Sequence, residues 1–563
     1  MQFIVKILGS LAILSVSFDL CAQTVHLPHG SKHSAVIDRI EILLQKDSLL
    51  NVSTAKPYSR RMIVEVAEKA LSNPDLVTRF SSIDRYNLQS LLMNNSEWVT
   101  GDKEGFRSRR PLFNTFYKTK ANFLEVDNKD FFLAVNPVLQ VNLARESEND
   151  ELLFLNARGI TVRGMIARRL GFYTSVIENL ERAPRFVQDR VSLHRAVPGG
   201  GRYNIFRNTG WDYSDARGGI TFNAAKFIDI QFAYDRNFIG NGYRSLFLSD
   251  FGSNYLFLKL NTRIWKLNYQ NIFMELSPTF SQFVRDNDIL LPKKYAAMHH
   301  LSINATKWLN LGLFEAVIFG RTDHFDFMYL NPIMFLRTAE KQNNSPDNGF
   351  VGFDAKANIG RSFKLYGQLL FDELLIKELK AGNGWWGNKF GVQLGGKYVN
   401  AFRIDNLDLQ AELNLARPYM YSFKDSTSNY SHYNQQLAHP LGANFVEFVG
   451  RIRYQPVPRL TTEARLIAFK QGIDTGSANY GSNIFKTYTS RVSEYGVSLP
   501  FGVSSNGVNL NLSASYEVKE NFFVDATLLV RRYKVENDIA PVRNSSVIGA
   551  GIRWNMSKRE HDY

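Results

Sequence analysis

The sequence contains one cysteine, Cys21, in 563 residues. It lies inside an apolar leader, so the mature chain has no disulfide, no thiolate metal site and no cysteine nucleophile. Long apolar runs are also missing. Beyond the first twenty residues no stretch reaches the roughly 18 apolar residues of a spanning helix, and the mean hydropathy is -0.23, which excludes a helical membrane protein. No Gly-x-Ser-x-Gly element and no zinc-binding histidine pattern occur. No recognition helix or RNA-binding signature occurs either, which argues against nucleic acid. Nothing in the sequence calls for a cofactor or a metal.

What is present is aromatic, glycine-rich and basic. Aromatics make up 13%, with 42 Phe and 25 Tyr beside 38 Gly, and Lys+Arg 67 against Asp+Glu 53 gives a net charge of +14. Such a surface seeks anions. Two partners fit: the phosphates of outer-membrane lipid and lipopolysaccharide, or an acidic surface polysaccharide.

The chain is organised around residues 227–276. Ile228, Ile230, Phe232 and Tyr234 share one face of a strand, and Asp229, Gln231, Ala233 and Asp235 share the other. After Gly-Asn-Gly at 240–242, which reads as a turn, Leu256, Leu258, Leu260 and Ile264 again oppose Lys259, Asn261 and Arg263. Each run approaches the 9–11 residues of a tilted membrane strand. The alternation recurs at Leu139–Val141–Leu143, Leu407–Leu415, Val446–Tyr454, Val508–Tyr516 and Phe522–Val530, and the last run ends on Ile552 and Trp554. Alternation alone fits a soluble sandwich as well as a barrel. The secretory leader, the long strands and the aromatic content favour an all-β transmembrane barrel, whose sheet must close because lipid cannot satisfy an open edge. Charges of both signs fall on the polar face, among them Glu412, Glu447, Arg451, Glu463, Arg465, Asp525 and Arg531. They favour an occluded lumen in which they pair.

Residues 1–22 read as a signal peptide: Lys6, an apolar core, and Ala22 before Gln23. A lipidated Cys21 is disfavoured because Phe18-Asp19-Leu20 lacks the small residue such a site needs. Residues 23–108 form an N-terminal helical unit on the periplasmic side. Ile37, Ile40, Leu43 and Leu44 have helical spacing. Ile63, Val64, Val66 and Ala67 follow Ser59, and Leu88, Leu91 and Leu92 follow Ser81-Ser82, with the serines as N-caps. The unit is either a free periplasmic bundle or a plug in the barrel mouth. The barrel occupies 109–556, and 557–563 is a short polar tail.

Several phrases carry a family resemblance: RGITVRGMIARRLGFY (158–173), AVPGGGR (196–202), DRNFIGNGYRSLFLSD (235–250), YLNPIMF (329–335), GWWGNKFGVQLGGKY (384–398), ARPYMYS (416–422) and NQQLAHPLGANF (434–445). In this order they resemble the Wzi-like capsule-assembly family in its Bacteroidetes branch, which includes the gliding-motility protein RemB. The resemblance spans nearly the whole mature chain. It implies a barrel of about 18 antiparallel strands with a small N-terminal helical bundle, located in the outer membrane. It implies a non-enzymatic role in binding or organising surface or capsular polysaccharide. The alternative is an anchor for gliding or type IX secretion proteins. The family brings no catalytic motif.

Three loop-like stretches offer the aromatic faces and hydrogen-bond donors that sugars require. One holds Trp385 and Trp386, which could instead be membrane-interface aromatics. A second holds Arg417, Tyr419, Tyr421, His432 and Tyr433. The third, 185–207, holds Arg190, Arg195 and Arg202, which could instead fold inward onto lumenal carboxylates. Candidate acid/base groups are weaker. His299 and His300 are adjacent on a strand and face opposite sides. Asp323, His324 and Asp326 read as a solvated loop, and Asp372-Glu373 as solvated acids.

Overall fold

A computed structural model describes residues 25–45, 53–278, 292–321, 324–333, 335–345, 347–536 and 542–563. The leader with Cys21, the cleavage position after Ala22 and Asp323 lie outside these residues.

Eighteen antiparallel strands close into one barrel. They are β1 Phe131–Glu146, β2 Leu153–Ile166, β3 Leu170–Arg182, β4 Gly210–Ala225, β5 Ile228–Asp235, β6 Tyr255–Ile264, β7 Leu267–Leu276, β8 Lys294–Asn304 and β9 Leu309–Phe319. There follow β10 Asn348–Ile359, β11 Phe363–Glu373, β12 Lys389–Tyr398, β13 Leu407–Ala416, β14 Phe445–Val457, β15 Leu460–Ile473, β16 Val503–Lys519, β17 Phe522–Val535 and β18 Arg543–Trp554. The seam closes β18 on β1, with Trp554 opposite Leu139 and Val547 opposite Glu146.

The side-chain sidedness decides between a sandwich and a membrane barrel. On β5, Phe232 and Tyr234 are exposed while Gln231 and Ala233, which alternate with them, are buried; on β16, Val508, Leu510 and Leu512 are exposed and Asn509 is buried. Apolar outside and polar inside is the arrangement of a wall facing lipid. Glu412, Glu447, Arg465 and Asp525 all point into the barrel and are buried.

Connections separate by length. Tight turns such as 167–169, 226–227, 265–266, 458–459 and 520–521 lie at one end, and 183–209, 236–254, 320–347, 374–388, 417–444 and 474–502 at the other. In outer-membrane barrels the short turns face the periplasm and the long loops face outward. The Gly-Asn-Gly of 240–242 is not a tight turn, contrary to the sequence reading. It lies within a 236–254 excursion that folds into the lumen, where a side chain at Gly242 would collide with the Glu412 carboxylate.

The N-terminal helices form as the pattern predicts: α1 Lys32–Leu44, α2 Arg60–Ser72 and α3 Ser82–Met93. Ser59 caps α2, and Ser81 makes a reciprocal capping box with Asp84. Their apolar faces share one core that includes Ile37, Ile40, Ile63, Val64, Leu88 and Leu91. The bundle contacts the barrel at its short-turn end. Asp84 also binds Arg39 at 2.6 Å, and Arg39 reaches Asp408 and Asn400 on the barrel. Lys32 meets Glu517 and Glu520 at 2.6 and 2.5 Å, and Arg163 meets Glu97 at 3.2 Å. The bundle therefore seals the short-turn mouth with ion pairs.

The deepest of these contacts is Glu41, wholly buried between Lys356 (3.0 Å) and Lys364 (2.8 Å). Burial alone would raise its pKa, but the two lysines overcome this and hold it down to about 2. A carboxylate depressed in the folded state stabilises it above its unfolded value, and that contribution is lost as pH falls. We expect bundle docking to weaken between about pH 4.5 and 2, seen as faster hydrogen exchange over α1. Glu41→Gln should produce the same loosening at neutral pH and cost about 3–5 kcal/mol, because two buried lysines lose their partner.

Candidate functional site

Inside the barrel the polar wall is met by polypeptide. From 236–254, Arg244 binds Glu447 at 3.2 Å, and the amides of Tyr243 and Arg244 donate to Glu412 at 2.7 and 3.0 Å. From 417–444, His439 meets Glu447 at 2.7 Å. The two loops also bind each other: the Tyr421 hydroxyl donates to the Leu246 carbonyl (2.8 Å), and the Ser249 amide donates to the Leu437 carbonyl (2.8 Å). Together with the wall they make an apolar core within the lumen, in which Phe247 stacks on Phe314 at 4.5 Å.

The third filler is 557–563, the polar tail of the sequence reading. It runs back up the lumen, and its successive residues bind opposite sides. Arg559 and His561 meet Glu181 at 3.0 and 2.7 Å; Glu560 meets Arg465 at 2.5 Å; Asp562 meets Arg244 at 3.1 Å. The Tyr563 ring lies 4.5 Å below the Arg190 guanidinium. The lumen is thus filled from the short-turn mouth to the loop end. Of the inward charges read from the sequence, Glu447, Arg451, Glu463, Arg465 and Asp525 are ion-paired, while Glu412 and Arg531 are hydrogen-bonded to neutral groups.

This filling determines which sequence-predicted residues a ligand can reach. Trp386, Tyr419, Tyr421 and His432 are buried. Trp386 donates from Nε1 to Glu494 at 2.7 Å, carries the Arg491 guanidinium 4.2 Å over its ring, and meets Tyr419 edge-on at 6.0 Å. These residues hold the loop dome together and present no free face to a sugar in this structure. The sequence reading placed them on loop-like stretches; Tyr419, Tyr421 and His432 lie on 417–444, which folds inward, and Trp386 packs against 474–502. Trp385, Arg417, Tyr433 and Arg190 are half-buried, and Arg195 and Arg202 are exposed. Arg190 is the member of the arginine loop that does turn inward. It sits on helix α4, Arg185–His194, and donates to Gln436 and to the Pro440 carbonyl at 2.9 and 2.7 Å.

The three predicted stretches group into two patches. Trp385, Trp386 and Arg417 gather with Tyr488, Val497 and Phe501 of 474–502. The arginine loop joins Tyr433 through neighbouring contacts, Asn434 to the His194 carbonyl (3.0 Å) and the Gly199 amide to Gln435 (2.8 Å). The sequence reading missed loop 474–502, although its Tyr480, Tyr488, Arg491 and Tyr495 carry the same aromatic and arginine mix. Tyr495 is exposed beside this rim.

The catalytic candidates resolve as structural pairs. His300 faces inward onto Asp354 (2.7 Å) and His299 outward onto Glu315 (2.9 Å), the opposite facing that adjacency predicts. Asp372 is buried rather than solvated, 2.8 Å from Lys389 Nζ. Among the described residues no group of three or more His, Cys, Asp or Glu could hold a metal ion.

Among solved structures, the chain is similar to Wzi of Escherichia coli, an outer membrane protein involved in group 1 capsule assembly and a carbohydrate-binding β-barrel. The identity is 13%, 95% of this chain and 100% of that one are covered, and the TM-score is 0.57. The fold is Wzi-like. OprD of Pseudomonas aeruginosa (12% identity, 75% and 94% covered, TM-score 0.42) and OccAB4 of Acinetobacter baumannii (8%, 76% and 98%, 0.41) are more distant barrels. No protein-family profile matches, and no curated sequence matches. Wzi and this chain therefore share a barrel at an identity too low to carry residue roles, and the site rests on this chain's own geometry.

That geometry is sensitive to acid. His432 Nδ1 accepts from the Ser277 amide at 3.0 Å and its Nε2 donates to the Asn254 carbonyl at 2.9 Å, which fixes a neutral ring. Burial pushes its pKa down to about 3; burial and the nearby Arg190 do the same for His194. The unfolded loops would take up protons first, near the ordinary value of about 6.5. Stability of the dome is therefore full above that pH and is lost progressively toward pH 3. Hydrogen exchange at Ser277 and across 417–444 should accelerate over this window, and His432→Gln should flatten the acid edge.

Proposed function

We propose that this chain is a non-enzymatic outer-membrane barrel that binds acidic surface polysaccharide on its extracellular rim and holds it at the cell surface. The observation that carries the reading is the filled lumen. With bundle, loops and tail occupying the barrel, a large ligand meets the protein at the loop end. There the accessible chemistry is cationic and aromatic: Arg195 and Arg202 exposed, Trp385, Arg417 and Tyr433 half-buried, and Tyr495 beside them. Guanidinium groups bind carboxylates through paired hydrogen bonds, and aromatic faces cover the apolar faces of sugar rings. The charge of +14 suits an acidic glycan. The carbohydrate binding of Wzi supports the same reading, as does the sequence resemblance to the Bacteroidetes branch of that family. Trp386, Tyr419, Tyr421 and His432 serve this site by shaping the dome beneath it.

The test is calorimetry of the detergent-folded protein with the producing organism's own acidic surface polysaccharide. We expect saturable binding, weakened about tenfold (~1.4 kcal/mol) by Trp385→Ala and further by Arg195→Ala/Arg202→Ala. Binding should also weaken with added salt. No binding by a folded protein would discard the reading in favour of an anchor for gliding or secretion proteins. In planar bilayers the full chain should conduct no steady current. Stepwise conductance would redirect the reading to transport.

A further inference from the structure

The lipid-facing wall carries a polar row across three adjacent strands. Asn271, His299 and Glu315 are direct cross-strand partners on β7, β8 and β9 and form a single polar row on the outer face. The rows on either side are apolar: Phe273, Ala297 and Val317 toward the loop end, Leu301 and Leu313 toward the turns. A polar row on such a wall is costly unless it is hydrogen-bonded.

Its partners are on loop 320–347, which does not rise from the barrel but folds back down the outside of the wall. Asn271 Nδ2 donates to the Pro332 carbonyl at 3.1 Å, and the Leu336 amide donates to Glu315 Oε2 at 3.1 Å. Glu315 Oε1 meets His299 Nδ1 at 2.9 Å, and the imidazole lies edge-on between Tyr269 and Phe273. The row therefore satisfies backbone groups of a non-helical segment that lipid would leave unmet. Above it, Phe325 and Tyr329 of the loop cover Tyr295 and Phe319 of the wall, with ring centroids 4.6–5.3 Å apart. The loop then turns new apolar side chains outward: Phe327 is 79% exposed, Ile333 85% and Phe335 64%.

The depth of the row follows from strand geometry. Glu315 is six residues from the turn end of β9. At about 3.3 Å per residue and a tilt of about 40°, it stands roughly 15 Å above that end of an apolar band about 25 Å tall. The strap consequently reaches about 10 Å below the outer boundary of the hydrocarbon.

We propose that residues 325–333 and 335–336 form a re-entrant strap that lies in the outer-leaflet acyl layer, clamped to the barrel by the Asn271–His299–Glu315 row. Lipid chains then contact Phe327, Ile333 and Phe335 in place of the wall beneath. The strap is a lipid-contact surface independent of the polysaccharide reading.

The experiment places a nitroxide label, in a Cys21→Ser background, at Ile333→Cys, at Phe353→Cys on the bare wall and at Leu193→Cys on an outward loop. The proteins are reconstituted in phospholipid vesicles, and label collisions with oxygen and with a water-soluble nickel chelate are compared. The expected result is an oxygen-to-nickel ratio at 333 matching that at 353 and well above that at 193. A label at 333 as nickel-accessible as that at 193 overturns the proposal. Adding Asn271→Leu/Glu315→Leu should release the strap and move the 333 label to the 193 value, while the barrel keeps its heat-modifiable gel migration. A folded double variant with unchanged accessibility overturns the clamping role of the row.

Discussion

Glu447 is the residue on which the interior depends. It has no exposure, sits on the inner face of β14, and is met by Arg244 from one inward loop, His439 from another and Asn414 from the neighbouring strand. Arg244 in turn holds Asp562. One carboxylate thus ties wall, both loops and tail. A buried charge in that position is tolerable only with all its donors in place, so the segments that supply them are fixed together or not at all. The Wzi-like barrel is for this reason better regarded as a protein with a core than as a pore with an obstruction.

The outer wall obeys the complementary constraint. Lipid accepts apolar side chains and refuses unpaired backbone, which is why the sheet closes and the alternation is inverted relative to a soluble sandwich. The Asn271–His299–Glu315 row is consistent with the same rule. It departs from the apolar wall at the one height where non-helical backbone of 320–347 descends onto it. Polarity outside and polarity inside have the same cause, the pairing of groups that water does not reach.

The strands were legible in the sequence because the period of two is a local property. Ile228, Phe232 and Tyr234 declare a face whatever surrounds them. The helices of the bundle were legible from their caps, Ser59 and Ser81. Their docking on the barrel was not, since it rests on pairs such as Glu41–Lys364 that are hundreds of residues apart. The rim was legible only in composition. Tyr419 and Tyr421 read the same as Trp385 in a loop, yet the first two pack into the dome and the last reaches its surface. An aromatic that stacks on sugar and one that stacks on a neighbouring ring differ in tertiary context alone. His299 could be assigned to the outer face by parity with His300, but not to the strap, which begins 26 residues further along the chain.

Residues 557–563 occupy the lumen behind α1–α3, where their charges meet the wall and an inward loop. The 236–254 loop comes between the two, since Arg244 grips Asp562 and the Gly240 amide bonds the Thr54 carbonyl of the N-terminal unit. Tail, loop and N-terminal unit are thereby one continuous set of contacts, so a change in any of the three is felt by the other two.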